Sequence, residues 1–329
     1  MSMRAWRVAV WGGPDSMKLE EIAAPKPGPG EAVVRVRYAA LNFFDGLMIS
    51  GKYQVKPSFP FTPGCEIAGE VIAVGDGVDL AIGARVCGQP NWGAFADQCV
   101  MSASALCPVP DVVDLKDASC VPVVYPTGHI ALGRRAHLQA GETLLVTAAA
   151  GGVGIAAIQL GKAWGANVIA LAGGAAKCAV AKAEGADHAL DYTSGEDWVE
   201  TVRELTGGKG VDVIYDPVGG DIFDKALKVI AFEGRAVIIG FAGGEIQKIA
   251  SNRLLLKNAS AVGAIWGRYR TDQPDYAAEV MADCFQLMAD GRIKPAISAT
   301  YSLEQAPEAI AALDSRKTWG KLVIDMALW

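Results

Sequence analysis

The plainest chemistry in this chain lies in Ala149-Ala150-Gly151-Gly152-Val153-Gly154, which follows the apolar run Leu144-Leu145-Val146 and precedes a helical pattern. A strand that empties into a glycine-rich turn and then a helix offers unpaired backbone N–H groups and a favourable dipole to an anion. Gly151 lets the backbone approach a pyrophosphate, Gly154 lets the helix pack closely on the strand, and Ala149 replaces the first glycine of the usual G-x-G-x-x-G pattern. Ala150, Gly151, Gly152 and Val153 are therefore the expected dinucleotide contacts. An ordinary strand-to-helix turn has the same local pattern, so the surrounding elements decide between the two.

Those elements alternate. Ile155, Ala156, Ile158, Leu160 and Ala163 give a helix with one apolar face, ended near Gly165, and Asn167 to Ala172 reads as a buried strand. The pattern continues with a helix from 175 to 183, a short strand at Ala189-Leu190 and a helix from Trp198 to Leu205. A strand from Val211 to Tyr215, a helix from Phe223 to Ile230, a strand from Arg235 to Ile239 and the apolar stretch Ala259 to Ile265 follow. Strands buried on both faces by helices make a doubly wound parallel sheet, which binds ligands beyond the carboxyl ends of its strands.

The first 120 or so residues read differently. Alternation in Glu31 to Tyr38 and turns such as Pro27-Gly28-Pro29-Gly30 predict a β-rich, barrel-like domain, continued by 66–75, 83–88 and a strand opening at 93–98. Helices over 115–121 and 127–136 flank the proline-marked junction at Pro122 and Pro126. The last residues predict a helix over 276–289, a strand over 296–301, a helix over 303–313 and a closing strand over 321–325. The chain thus divides as 1–125, 126–267 and 268–329, the last segment returning to the first domain.

A chain of 329 residues with 51% hydrophobic content supports about two cores. Its net charge of −6 offers no basic footprint for nucleic acid or an anionic membrane. No apolar stretch approaches the ~20 residues of a membrane span, and the N-terminus does not read as a signal peptide, so a soluble cytoplasmic protein is expected. The seven cysteines, at 65, 87, 99, 107, 120, 178 and 284, never form C-x-x-C, which argues against a disulfide framework or a structural zinc lobe. His129, His137 and His188 make no metal-binding motif.

The chain resembles the medium-chain dehydrogenase/reductases, specifically the zinc-independent quinone oxidoreductase (zeta-crystallin-like) branch, nearly end to end. The resemblance rests on Ala40-Leu41-Asn42-Phe43-Phe44-Asp45, Ser50-Gly51-Lys52-Tyr53, Pro63-Gly64-Cys65-Glu66-Ile67-Ala68-Gly69, the glycine turn, and Gly320-Lys321-Leu322-Val323. It implies a GroES-like catalytic domain and a Rossmann domain, α/β overall, with the active site in the cleft between them. The zinc-dependent alcohol dehydrogenases of the family carry cysteine where Asn42 stands and Gly-His-Glu where this chain has Gly64-Cys65-Glu66. Cys65 alone does not supply the converging N and S donors that a catalytic zinc needs, so no metal is expected.

The second nucleotide strand ends in Ala172-Gly173-Gly174 instead of the acid that holds an NAD ribose and repels a 2′-phosphate. Lys177 adds a positive charge just beyond. The resemblance assigns Lys177 and Tyr192 to the phosphorylated adenosine of NADP, and Thr127, Gly240, Phe241, Trp266 and Lys321 to the nicotinamide end; Gly173, at the strand's end, is a further candidate cofactor contact, with the turn itself as its other use. Without a Lewis acid, hydride delivery to an already electrophilic carbon is the fitting chemistry, on a quinone or an α,β-unsaturated carbonyl compound. Asn42 and Tyr53 are the candidate catalytic donors to the developing oxyanion. Asn42 has a second use open to it as a helix N-cap, and Tyr53 as loop packing. The resemblance also implies a homodimer, with the segment from Arg253 to Ile265 presenting an edge strand. Two other readings stay open: an alcohol dehydrogenase with unrecognised zinc ligands, and a low-turnover NADPH-binding structural or sensor protein.

Overall fold

A computed structural model describes residues 2–328 and divides the chain into two compact units. The first runs to Val123 and takes up Pro274–Ala289 and the chain from Ile297 onward; the second comprises Val124–Gln273 and Asp290–Ala296. The first boundary falls two residues before the proline-marked junction at Pro126. The later crossings fall at 273/274 and around 290–296, a short excursion back into the second unit that no composition shift announces.

The second unit is a six-stranded parallel sheet. Its spatial order is His188–Asp191, Asn167–Ala172, Thr143–Val146, Val211–Asp216, Ile230–Ile238, Ser260–Gly263. In chain order that is 3-2-1-4-5-6, so the direction of winding reverses between Thr143–Val146 and Val211–Asp216, where this architecture leaves its crevice. The central strands are buried throughout: Leu144, Leu145, Val146, Val213, Ile214 and Tyr215 have 0% exposure, as expected of strands covered on both faces. The helix Trp198–Leu205 shows how the periodicity works locally. Trp198, Val199 and Val202 share its buried face, and the Asp197 side chain accepts the Val199 N–H at 3.1 Å to cap its start.

Several predicted helices are altered. The helix expected over 115–121 is confined to Leu115–Ala118, and that over 303–313 opens as a 3-10 turn at Leu303–Gln305 before the α-helix Ala306–Asp314. The segment 127–136 is an α-helix over Val124–His129 that widens into a π-helical turn over Ile130–Arg135. The predicted helix 223–230 occupies Gly220–Ala226 and a 3-10 turn at Leu227–Val229, and Ile230 already begins the next strand.

The first unit holds a two-stranded antiparallel sheet, Ser2–Arg7 with Lys18–Ala23, and a seven-stranded sheet built around Glu31–Ala40. One edge of that strand pairs antiparallel with Ile67–Val74. The other is shared, its first half taking Gln98–Ser102 and its last residues taking Lys321–Asp325. Ile297–Ser302 extends the sheet beyond Lys321–Asp325, and Arg85–Gly88 followed by Leu106–Pro108 extends it beyond Ile67–Val74. Val34, Val36, Ile67, Val71, Val86, Phe95 and Ile324 pack into one apolar core. This sheet brings Asn42, just past one strand, Glu66, just before the next, and Lys321, at the start of a third, to one end.

Candidate active site

In the second unit the turn after Val146 is fixed on both sides. Thr147 N–H donates to Tyr215 O at 3.1 Å and Ala149 N–H to Leu171 O at 3.0 Å, tying the turn to both neighbouring strands. Ala148 adopts the left-handed region at φ 46°, a conformation that costs a non-glycine residue energy and is held here by those flanking bonds. Gly151 is the N-cap of the helix Gly152–Ala163, whose own ladder begins with Ile155 N–H donating to Gly151 O at 2.9 Å. The N–H groups of Gly152, Val153 and Gly154 precede that bond and make the anion-binding end of the helix. A Cβ on Gly154 would lie 2.4 Å from Ala148 O and 2.8 Å from Ala149 Cα, both backbone, so only glycine permits this approach of helix to strand.

At the end of the next strand, Gly173 faces Tyr192. A Cβ on Gly173 would meet the Tyr192 hydroxyl at 2.8 Å, so the two predicted residues are in direct proximity, and Tyr192 remains 39% exposed. Gly174 is left-handed at φ 92° and caps the helix Ala175–Ala183, in whose first turn Lys177 sits. Sequence reasoning missed Asp191. It ends the third strand rather than the second, and its Oδ1 accepts from Gly174 N–H at 2.8 Å, Thr193 N–H at 2.8 Å and Thr193 Oγ1 at 2.6 Å. Those donors hold its carboxyl below the ordinary range. Its position one strand further along the chain, 17 residues past Gly174, gave no local signal.

The fourth and fifth strands contribute to the same edge of the sheet. Asp216, fully buried, accepts the Thr147 hydroxyl and the Gly219 N–H at 2.7 Å. Burial pushes its carboxyl up, and those donors oppose the rise. Ala242 and Gly243 donate to Pro217 O and Val218 O at 2.9 and 2.8 Å, which sets Gly240 and Phe241 beside this loop. Phe241 is 42% exposed, whereas Trp266 is 5% exposed and opens the helix Trp266–Asp272. Thr127 is nearly buried after Pro126. One edge of one sheet thus carries residues 147–154, 173–174, 191–192, 216–219 and 240–241, and its glycine cradles fit a dinucleotide.

Asn42, Tyr53 and Lys321 belong to the first unit. Lys321 Nζ, with the residue 4% exposed, donates to Leu41 O at 2.7 Å, Asn42 Oδ1 at 2.8 Å and Glu66 Oε2 at 2.8 Å. All three ammonium protons are therefore spent within this unit. Glu66, at 0% exposure, also accepts from Asn42 Nδ2 at 2.9 Å and from Val123 N–H at 2.8 Å. Asn42 occupies the N-cap of the helix Phe43–Ile49, and its backbone N–H donates to Asp45 Oδ2 at 2.7 Å. Burial pushes the Asp45 carboxyl up to about 7, against the opposing pull of the Asn42 N–H, the Cys65 thiol and the Lys321 charge. Tyr53 stacks on Phe44 with ring centroids 5.3 Å apart. Burial, with the nearby Cys65 and Asp45, raises its phenol above the ordinary range. The polar cluster Asn42–Glu66–Lys321 is the feature that sequence reasoning did not assemble, because 255 residues separate Lys321 from Glu66.

Comparison with known proteins agrees with this geometry. A family model described as "Alcohol dehydrogenase GroES-like domain" matches residues 28–112, and one described as "Zinc-binding dehydrogenase" matches 152–283. The chain is 40% identical to quinone oxidoreductase-like protein 2 of Rattus norvegicus over 94% of its own length and 89% of the relative's. It is 34% identical to a quinone oxidoreductase of Pseudomonas aeruginosa over 96% and 97% of the two chains. The crystal structure of Escherichia coli quinone oxidoreductase complexed with NADPH superposes with a TM-score of 0.90 at 31% identity, covering 98% of this chain and 99% of that one.

The zinc named by one family model does not fit the donors present. Of the two positions where the zinc-dependent enzymes carry ligands, Asn42 has its Oδ1 2.8 Å from the Lys321 ammonium, and Cys65 gives its thiol to Asn91 O at 3.1 Å. Among the described residues, no group of three or more His, Cys, Asp or Glu converges as metal ligands.

Proposed function

Because this chain belongs to the medium-chain dehydrogenase/reductases, in their quinone oxidoreductase branch, we propose that it reduces a quinone or an α,β-unsaturated carbonyl compound with NADPH and without zinc. The observation that carries the reading is the Lys321 ammonium 2.8 Å from Asn42 Oδ1, at a position where a metal-dependent relative needs a ligand free to coordinate a cation.

The bound cofactor supplies the hydride. The N–H groups of Gly152, Val153 and Gly154 hold its pyrophosphate, Ala150 and Gly151 shape the approach, and Gly173, Lys177 and Tyr192 receive the phosphorylated adenosine. Thr127, Gly240, Phe241 and Trp266 shape the nicotinamide end. Lys321, with its ammonium spent on Leu41, Asn42 and Glu66, holds Asn42 in place rather than acting as a free cation. Tyr53 is the donor to the oxyanion and its proton source: among the described residues its hydroxyl has no hydrogen-bond partner, and burial, which raises its phenol, leaves it in the protonated form that donates. The Asn42 amide, with one N–H given to Glu66, has its second to offer.

The same proposal makes the enzyme a cytoplasmic homodimer. Ser260–Gly263 ends the parallel sheet with one neighbour only, beside exposed Phe232, Leu255 and Ile265, and all seven cysteines are free thiols. The test is NADPH oxidation by purified protein across a panel of quinones and enones, with metal analysis of the same sample and of its Lys177→Ala variant. Turnover without zinc, and a rise in Kd for NADPH of roughly ten- to a hundredfold in the variant with NADH binding unchanged, is the expected result. Stoichiometric zinc, or tight NADPH binding without turnover of any acceptor, would overturn it.

A further inference from the structure

Outside that site, the first unit sets two cysteines opposite each other. Cys87 in Arg85–Gly88 and Cys107 in Leu106–Pro108 are register partners in an antiparallel pair, so their side chains leave the same face of the sheet. Val109 N–H donates to Arg85 O at 2.9 Å, which places the 87/107 pair two residues along at a hydrogen-bonded position, where Cα atoms stand about 5.5 Å apart. That separation lies within the range that disulfides span.

The two thiols are not equivalent. Cys87 has 0% exposure, while Cys107 is partly exposed at the sheet's edge. A hydrogen bond from the Cys87 thiol draws the Cys107 thiol below its ordinary range, and burial pushes Cys87 up. Leu106–Pro108 is a three-residue strand at the end of the sheet, preceded by the 3-10 turn Ala103–Ala105. A third thiol, that of Cys284, is close enough to feel the charge on Cys107 but is buried.

We propose that Cys107 and Cys87 form a peroxide-responsive dithiol, with Cys107 as the attacking and Cys87 as the resolving residue. The Cys107 thiolate attacks hydrogen peroxide: an S–O bond forms, the O–O bond breaks, and the departing hydroxide takes a proton to become water. The Cys87 sulfur then attacks the Cys107 sulfenic acid, the S–S bond forms, the S–O bond breaks, and the hydroxyl leaves as a second water with the Cys87 proton. Two thiols are oxidised, one peroxide is reduced, and a cellular dithiol returns the pair to its starting state. Because the bond would sit at a hydrogen-bonded register position with one sulfur partly exposed on an edge strand, it is a labile link suited to reversal. The proposal is independent of the reductase reading.

The experiment treats the whole protein with hydrogen peroxide, alkylates the remaining thiols and maps non-reduced peptides by mass spectrometry. The expected product is a Cys87–Cys107 linked peptide, lighter by two hydrogens and restored by dithiothreitol, with Cys107 reacting several-fold faster than the also partly exposed Cys178. In Cys87→Ser, a dimedone adduct accumulates at Cys107. Should the core substitution fail to fold, the wild-type map decides alone. Direct conversion of Cys107 to sulfinic acid with Cys87 still free, a link to Cys284 instead, or no reaction at Cys107 while Cys178 is oxidised would each overturn it.

Discussion

Replacing Lys321 by methionine tests the polar cluster most directly, since the side chains are similar in length and only the ammonium is removed. Breaking a buried ion pair by deleting one partner costs about 3–5 kcal/mol. Here Glu66 would keep two donors, Asn42 Nδ2 and Val123 N–H, which favours the lower end. Leu41 O and Asn42 Oδ1 would each lose a buried donor, at about 1–3 kcal/mol for a group left unsatisfied, which favours the upper. A loss of about 4 kcal/mol is expected. The second substitution Glu66→Gln should recover roughly half of it by removing the uncompensated charge and giving Asn42 Oδ1 an amide donor. Two units preclude a single transition, so the readout is urea-dependent hydrogen exchange in Lys321–Asp325 and Glu31–Ala40, strands of the first unit. A loss under about 1 kcal/mol in Lys321→Met, or no recovery in the double variant, would refute the reasoning that the cluster is a tightly coupled buried ion pair.

Asp45 gives a pH signature. Its carboxyl ordinarily titrates at 3.8 and in the fold near 7, so the folded state holds the proton more tightly. Its contribution is full below about pH 4 and is lost as pH rises toward 7, at up to about 1.4 kcal/mol per pH unit. Asp45→Asn should flatten that part of the profile while its side-chain oxygen still accepts the Asn42 N–H; identical urea midpoints against pH for variant and parent would count against this. Gly154→Ala forces a Cβ against Ala148 O and should cost about 1–3 kcal/mol and abolish dinucleotide binding, measured by calorimetry and by NADPH fluorescence. Full retention of NADPH affinity would show that the turn has room the geometry denies.

Sequence reasoning reached furthest where one element dictates its own shape. The helices Ala175–Ala183 and Trp198–Leu205 end where periodicity predicts, and the glycine turn lies between its strand and helix as read. It failed where an apolar run serves two periods. Leu227 to Ile230 reads as the end of a helix, but the chain turns there and enters the strand Ile230–Ile238. The helix Trp266–Asp272 was also missed. For the site, Gly173 and Tyr192 were each legible and meet as expected, whereas Asp191 joins their turn from a strand whose sequence carries no sign of it. Lys321 was legible as a residue of interest but not as the partner of Asn42 and Glu66, because only the register of the closing strand against Glu31–Ala40 brings them together.

That late partner sets an order of events during synthesis. Asn42 and Glu66 emerge from the ribosome long before Lys321, and the 255-residue gap after Glu66 takes on the order of tens of seconds at about 5–20 residues per second. Until then the acidic side of the cluster has no counter-charge, and one side of Glu31–Ala40 lacks its neighbour Lys321–Asp325. The intervening parallel sheet, contiguous from Val124 to Gln273, has all six of its strands by that time. A nascent chain stalled short of residue 321 therefore has every strand of the parallel sheet but lacks the strand that closes the first one.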